Sequence, residues 1–390
     1  MSQKLDRRTF IKACQFLGLS LPLQSALGAN QKEQSRETGS VVIVGAGAAG
    51  LTAGYLLQQQ GIEFQILEAS SQYGGRMKRT ADFADFPIPL GAEWIHVKPG
   101  ILEEIVNDDS IRVDIETTRY DRKTDFGLYE GYELPLSEFG FTKDSKFINA
   151  TWFDFFEQYI VPSVESRITY NSPVHKIDYT SEKTTVKTQD GTFSCDQVIV
   201  AVPAKMLQLG SIAFNPELPS YKQKAIEKVK VWDGCKAFIE FKQKFYPTFV
   251  GFEIKPEAAG QKLYYDAAYG QATNQNILGL FAVGTGTSPY VELNDDDLIQ
   301  YMLKELDDLF DGQASTNYVK HIFQNWNKEA YARGAYVVDH ENWTRVRKLG
   351  KSVDNRVFFT GDAYTDGEDW SSVHTAARSA RRAVKEILKL

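Results

Sequence analysis

The run Val41-Val42-Ile43-Val44-Gly45-Ala46-Gly47-Ala48-Ala49-Gly50 constrains this chain more than any other segment. Four apolar β-formers lead into a glycine turn, and a helix-compatible stretch follows at once. In such a strand–turn–helix unit Gly45 permits the tight turn, Gly47 lets backbone approach a pyrophosphate, and Gly50 lets helix and strand pack closely. The helix start, through Ala46, Ala48 and Ala49, offers unpaired N–H groups and a positive dipole end to phosphates. Glu68 closes the next apolar run, Phe64-Gln65-Ile66-Leu67, where a carboxylate accepts from a ribose hydroxyl. A fingerprint in that setting, with an acid at that distance, points to a dinucleotide held by an α/β fold.

A nicotinamide dinucleotide needs only that first unit, and nothing in its logic calls for Gly74-Gly75-Arg76 just past the acid. Leu67-Glu68-Ala69, a short spacer, Gly74-Gly75-Arg76 and Thr80 together resemble the second fingerprint of the flavin amine oxidase superfamily. The resemblance implies FAD, with Ala69 and Gly75 in its binding loop and Arg76 against its diphosphate and ribose. Without the upstream fingerprint, Arg76 would be read as a solvated loop residue.

The N-terminal stretch Asp6-Arg7-Arg8-Thr9-Phe10-Ile11-Lys12 resembles a bacterial twin-arginine export signal, followed by a modest apolar run from Ala13 to Leu27. Residues 1–28 are therefore expected to be a signal peptide, and residues 29–40 a polar linker. A basic tail outside the fold is the alternative. The apolar run, broken by Gly18 and Pro22, is too short to span a bilayer comfortably, and no later segment reads as transmembrane. A periplasmic protein follows, exported already folded around its cofactor. Signal removal takes away a net +3, so the chain's net charge of −7 would become about −10. That argues against nucleic acid or an anionic membrane as partner. Cys14 leaves with the signal, and Cys195 and Cys235 alone are no disulfide framework. No metal-ligand pattern appears.

Length and patterning predict two domains interleaved in sequence. Residues 41–100, 173–205 and 326–390 are expected to form a Rossmann-like FAD-binding domain of α/β class. Residues 101–172 and 206–325 are expected to form an α+β substrate domain with a mixed sheet. Val174-His175-Lys176-Ile177, Thr184–Thr188 and Thr192–Ser194 alternate like strands about an Asp190-Gly191 turn. Gln197–Val202 reads as a buried strand ended by Pro203, and Ala237–Phe241, Leu263–Asp266 and Ile277–Val283 as strands of the second sheet. Helices are expected around Asp295–Phe310 and Val373–Leu388. By resemblance, Val174 touches the adenine through backbone atoms. Gly361-Asp362 follows the buried run Arg356–Phe359, so Asp362 stands at a strand C-terminus, where open α/β sheets bind ligands. The family uses that acid on the ribityl or phosphate part of FAD; a plain N-cap role for Asp362 is the alternative, and both can hold. The last helix aims its N-terminus, near Val373, at the flavin's pyrimidine edge.

The chemistry rests on three further matches. Lys236-Ala237-Phe238-Ile239-Glu240-Phe241, continuing to Phe245-Tyr246, resembles the strand carrying the active-site lysine of polyamine and monoamine oxidases. There Lys236 would hold a water against flavin N5; composition alone makes it an ordinary strand-edge lysine. Trp326 to Tyr336 resembles the segment ending in the first tyrosine of an aromatic cage, placing Trp326 against the cofactor and Tyr336 beside the substrate amine. A core tyrosine is the alternative. Ala335 stands where monoamine oxidases carry the cysteine that bonds flavin, so FAD is expected to be non-covalent. Gly91-Ala92-Glu93-Trp94-Ile95-His96 is close to polyamine oxidases, with Gly91, Ala92, Glu93 and Trp94 near the cofactor and His96 in the substrate tunnel. A structural histidine fits His96 as well.

Two departures from the family stand out. Ser372 falls where the second cage tyrosine should be, leaving Trp370 as the candidate replacement. The interval from His96 to Val174 is short, so the helical part of the substrate domain should be reduced, leaving the site open or closed by a second subunit of a homo-oligomer. The expected activity is oxidation of a small-molecule amine. A hydride passes from the carbon α to nitrogen to flavin N5, the imine hydrolyses, and oxygen or another acceptor reoxidises the flavin, with hydrogen peroxide formed when it is oxygen. A desaturase or other non-amine flavin oxidoreductase, or a non-catalytic exported flavoprotein, remains compatible with the fingerprints.

Overall fold

The computed structural model describes residues 40–252, 259–338, 343–365 and 371–390. The twin-arginine segment, nearly all of the 29–40 linker and Trp370 lie outside the described residues.

Val41–Val44 is the middle strand of a five-stranded sheet ordered Val357–Phe359, Gln197–Val200, Val41–Val44, Phe64–Leu67, Ile168–Thr169. Every pairing is parallel, and Val42 lies opposite both Val198 and Gln65. Because successive side chains leave opposite faces, Val41, Ile43, Ile66, Ile199 and Phe358 enter one core, while Val42, Val44, Leu67, Val198 and Phe359 enter another. Both faces are covered, and this explains why the strands read as unbroken apolar runs.

The first face is covered by the fingerprint helix Ala48–Gln59 and the terminal helix Val373–Ile387. The helix Trp152–Tyr159 joins them, started by Thr151, whose hydroxyl accepts from Asp154 N–H at 3.4 Å. It buries Trp152, Phe155 and Phe156 in the same core, each worth about 1.5–3 kcal/mol by transfer from water. The second face carries a four-stranded sheet, ordered Thr192–Cys195, Thr184–Lys187, Lys176–Asp178, Ala213–Asn215, together with helices Ser220–Lys228 and Trp343–Gly350.

A seven-stranded mixed sheet builds the other half. Its order is Tyr318–Asn325, Gly234–Phe241, Asn276–Gly284, Gly260–Asp266, Phe249–Gly251, Phe126–Tyr129, Tyr132–Pro135. Helix Asp295–Leu309 packs Leu298, Met302 and Leu306 onto one face. The opposite face meets Phe83, Phe86, Ile88, Leu90 and Trp94.

The domain boundaries drawn from sequence differ from this packing in both directions. Residues 101–106 and 152–169, expected on the substrate side, join the nucleotide-side core or sheet, as do 206–229. Residues 83–94, expected on the nucleotide side, pack beneath the seven-stranded sheet. Apolar content marks these segments as buried but does not say which sheet buries them. The interval 97–173 contains two α-helices, Ile101–Val106 and Trp152–Tyr159, with four short strands between them. The helical part is reduced, in line with the fold class inferred from sequence. Among the described residues no helix is long and apolar enough to cross a membrane, and no cluster of metal-ligating side chains occurs.

Candidate active site

A cavity of about 1680 Å³ opens at the C-terminal ends of the parallel strands and runs to the edge of the mixed sheet. Single-ligand pockets hold about 300–1,000 Å³, so this one has room for a dinucleotide and a second molecule.

The fingerprint forms one end. Gly45 takes φ +103°, and a Cβ there would lie 2.8 Å from Ala201 O. A Cβ at Gly47 would meet nothing within 4 Å, since that position faces the cavity. Gly47, Ala48 and Ala49 line it, and no side chain caps the helix start, leaving its first-turn N–H groups for an anion. Ala46 and Gly50 lie behind the wall. Ala46 N–H donates to Glu68 Oε2 at 2.6 Å, and a Cβ at Gly50 would sit 1.9 Å from Gly45 O. Glu68 also accepts from Ser70 N–H at 2.8 Å, which fixes its carboxylate beside the cavity. Ala69 and Val174 line the same end. An uncapped helix start, a glycine facing open space and a fixed acid at the neighbouring strand end suit the diphosphate and ribose of a dinucleotide.

Farther along, Arg76 and Asp362 meet on the wall. The guanidinium donates to Asp362 Oδ1 at 2.6 Å and Oδ2 at 3.2 Å, and also to Ala335 O. Gly75 at φ +53° brings Arg76 round, and Gly361 at φ +144° presents Asp362. Gly91 lies so close that a Cβ would stand 1.9 Å from Arg76 O. Ala92 lines the cavity alongside, and Trp326 covers Gly91, its indole N–H donating to Leu90 O at 3.0 Å.

Lys236 reaches the cavity from its strand, with its ammonium buried. It donates to Pro89 O at 2.9 Å, Gly91 O at 3.3 Å and Glu93 Oε2 at 2.6 Å. Three protein acceptors thus lie within reach of its three N–H donors. Glu93 accepts in addition from Tyr265 OH at 2.5 Å and has Lys146 Nζ 3.4 Å away. Burial alone would push the Glu93 carboxyl up; Lys236 and Lys146 outweigh it and hold the group below the usual carboxylate range. Burial pulls the Lys236 ammonium down, with Glu93 opposing. Trp94 roofs the cluster, its ring centroid 5.4 Å from Lys236 Nζ.

Tyr336 lines the cavity with Trp232, the ring centroids 6.0 Å apart and tilted. Burial pushes the Tyr336 phenol above its ordinary range, so its hydroxyl stays protonated. Ser372 is the N-cap of the terminal helix, accepting from Thr375 N–H at 3.3 Å, and it bonds His374 Nδ1 at 2.8 Å. Val373 and His374 line the cavity at that helix start. His96 sits at the rim, half exposed, with Nδ1 2.8 Å from Asp144 Oδ2. Sequence reasoning missed Lys146, Tyr265 and Trp232. Lys146 lies in a three-residue strand without a pattern, and Trp232 stands four residues before Lys236, outside the run that carries the resemblance.

A profile for flavin containing amine oxidoreductases matches residues 156–388. The chain belongs to that family. As a member it is an FAD-dependent oxidoreductase. A profile for an NAD(P)-binding Rossmann-like domain matches residues 43–107, the first βαβ unit. Among similar proteins, polyamine oxidase 2 of Arabidopsis thaliana is 22% identical over 441 aligned positions, covering 89% of this chain and 87% of that one. Lysine-specific histone demethylase 1B of Mus musculus is 29% identical over 203 positions, covering 50% of this chain and 25% of the demethylase. A solved putrescine oxidase bound to putrescine superposes with a TM-score of 0.71 at 16% identity, over 90% of this chain and 99% of that one. At that identity the likeness speaks for the fold.

Proposed function

We propose that this member oxidises small-molecule amines at the wall shared by Lys236 and Tyr336. The carrying observation is a buried ammonium and a neutral phenol lining the same cavity as the dinucleotide cradle. The cradle of Gly47, Glu68, Arg76 and Asp362 would hold FAD, with Gly91, Trp326 and Val373 around the rest of it. FAD held there would supply the redox chemistry, hydride acceptance at N5 from the carbon α to nitrogen and reduction of oxygen to hydrogen peroxide.

The chain's own groups do the remaining work. Trp232 and Tyr336 offer ring faces that orient the amine and stabilise positive charge developing on its nitrogen. His96, paired with Asp144 at the rim, takes the proton an ammonium substrate must lose before it reacts. Lys236 acts by charge, its donors being engaged by protein acceptors. Ala335, in place of a cysteine, leaves FAD non-covalent; acid precipitation of holoenzyme should release the yellow colour into the supernatant.

The test is anaerobic mixing of the yellow protein with monoamines, diamines, polyamines and amino acids while flavin absorbance is followed. Bleaching by one class supports the proposal. A flavin that stays oxidised with every amine, yet bleaches with a C–C or N-heterocyclic donor, supports the second reading, which Ser372 favours by capping a helix instead of supplying a cage ring. Periplasmic export by residues 1–28 is part of the proposal, and an Arg7→Lys, Arg8→Lys change should keep the protein in the cytoplasm. A homo-oligomer closing the open side would appear in sedimentation.

A further inference from the structure

Four elements bury their charged or phenolic groups together at the cavity wall. Lys236 comes from the strand Gly234–Phe241, Glu93 from the loop after Gly91, Lys146 from Ser145–Phe147 and Tyr265 from Gly260–Asp266. Lys236, Lys146 and Glu93 are 2%, 3% and 7% exposed, and Tyr265 is fully enclosed. Lys146 does not reach the cavity; it donates to Ala267 O at 3.1 Å and Asp266 O at 3.4 Å and stands behind Glu93.

The charges do not cancel. One carboxylate faces two ammonium groups. The next acid, Asp266, is already paired with Lys244 at 2.6 Å. Tyr265 and Tyr120 are phenols that burial pushes far above their ordinary range, so neither contributes a negative charge. The rings of Trp94, Phe238 and Tyr265 lie 5.2–5.6 Å from Lys236 Nζ, within a side-chain cluster that is almost fully buried. In so dry a setting one uncompensated charge acts on its neighbours far more strongly than it would in water.

We propose that Glu93 and Lys146 are positioning residues for Lys236: the carboxylate keeps the ammonium charged and aimed, and Lys146 leaves the buried group net positive, which favours the reduced, electron-rich cofactor. The proposal rests on the preceding one only in taking FAD as the occupant of the cavity. Lys236 is thus an electrostatic element with its donors engaged, and Lys146 supplies the charge that Glu93 would otherwise cancel.

The test uses two readouts that need no amine. In apoprotein labelled with [ε-13C]lysine, with Lys236 assigned by its absence in Lys236→Met, Glu93→Gln should move the Lys236 titration to lower pH. Removing the carboxylate removes what opposes the desolvation of the ammonium. An unmoved titration overturns the role of Glu93. In holoenzyme, dye-coupled dithionite titration should show Lys146→Met lowering the flavin midpoint potential by about 30 mV, a tenfold loss for a two-electron couple. Lys146→Arg should restore it. In Glu93→Gln the potential should lie above wild type at low pH, where two ammonium groups stand unopposed, and fall as Lys236 loses its proton. Equal potentials in wild type, Lys146→Met and Lys146→Arg overturn the role of Lys146. A wild type that no amine bleaches, but whose potential follows these shifts, sinks the amine assignment and leaves this one standing. If a variant fails to take up FAD, the apoprotein titration still decides the role of Glu93.

Discussion

Arg76 and Asp362, 286 positions apart, meet through two hydrogen bonds of 2.6 and 3.2 Å on the wall of the cavity. The contact joins the Gly74-Gly75-Arg76 loop to the end of the strand Val357–Phe359, and Ala335 O receives a further bond from the same guanidinium. Asp362→Ala should weaken FAD retention by roughly tenfold to a hundredfold, because a part-buried guanidinium loses its carboxylate. Flavin release on dilution, followed by fluorescence, measures this. Retention equal to wild type would remove the pair from the cradle.

Two fingerprint glycines should respond in opposite ways. Gly47→Ala adds a methyl to open space at a backbone angle any residue adopts, so the protein should melt within about 1 °C of the wild-type apoprotein while FAD binding falls severely. Gly50→Ala drives a methyl 1.9 Å from Gly45 O and should cost about 3 kcal/mol or more, or prevent folding. Thermal melts of both apoproteins separate the cases.

Lys236→Met should slow flavin reduction or reoxidation by about 10²–10³ while FAD stays bound, the order seen when one preorganised electrostatic group is removed. Stopped-flow absorbance resolves the two half-reactions. Unchanged rates in both would take Lys236 out of the chemistry.

Lys222 should give stability a pH dependence of its own. Burial, with Arg382 and Lys351 nearby, pulls its ammonium from 10.5 to about 7. Between those limits the unfolded chain binds more protons, so this group favours folding most above pH 10.5, and its contribution falls as pH drops toward 7. The slope is about 1.4 kcal/mol per pH unit at most. Lys222→Met should therefore gain stability relative to wild type on going from pH 9.5 to pH 7.5, even though it loses the bond to Leu349 O at 2.6 Å. Denaturant midpoints at the two pH values test the sign.

Ser372→Ala should cost about 1 kcal/mol through loss of the cap on Thr375 N–H, with little change in the flavin spectrum. A melt unchanged within error would show that the cap carries no weight.

The parallel half of the fold was legible because its signals are local. A strand buried on both faces must be apolar throughout, and the turn after Val44 needs glycine at φ +103°. The Thr184–Cys195 hairpin announces itself by alternation about the Asp190-Gly191 turn. What sequence could not supply was partner choice. Trp152–Tyr159 reads as an amphipathic helix wherever it packs, so its place in the core of the parallel sheet was not visible. Lys236 was found by resemblance, yet nothing in its strand tells that Pro89, Gly91 and Glu93 take up its donors. Buried charge is a property of several segments meeting, and Lys146 shows it most plainly.

The order of strands in the parallel sheet carries one more consequence. The edge strand Val357–Phe359 docks on Gln197–Val200 and delivers Asp362 to the wall that Val41–Val44 began more than three hundred residues earlier. A nascent polypeptide stalled before that point has the glycine turn but lacks the acid that grips Arg76. Ribosome-bound intermediates stalled there should therefore hold the vitamin-derived prosthetic group less firmly than chains to which this strand has been added.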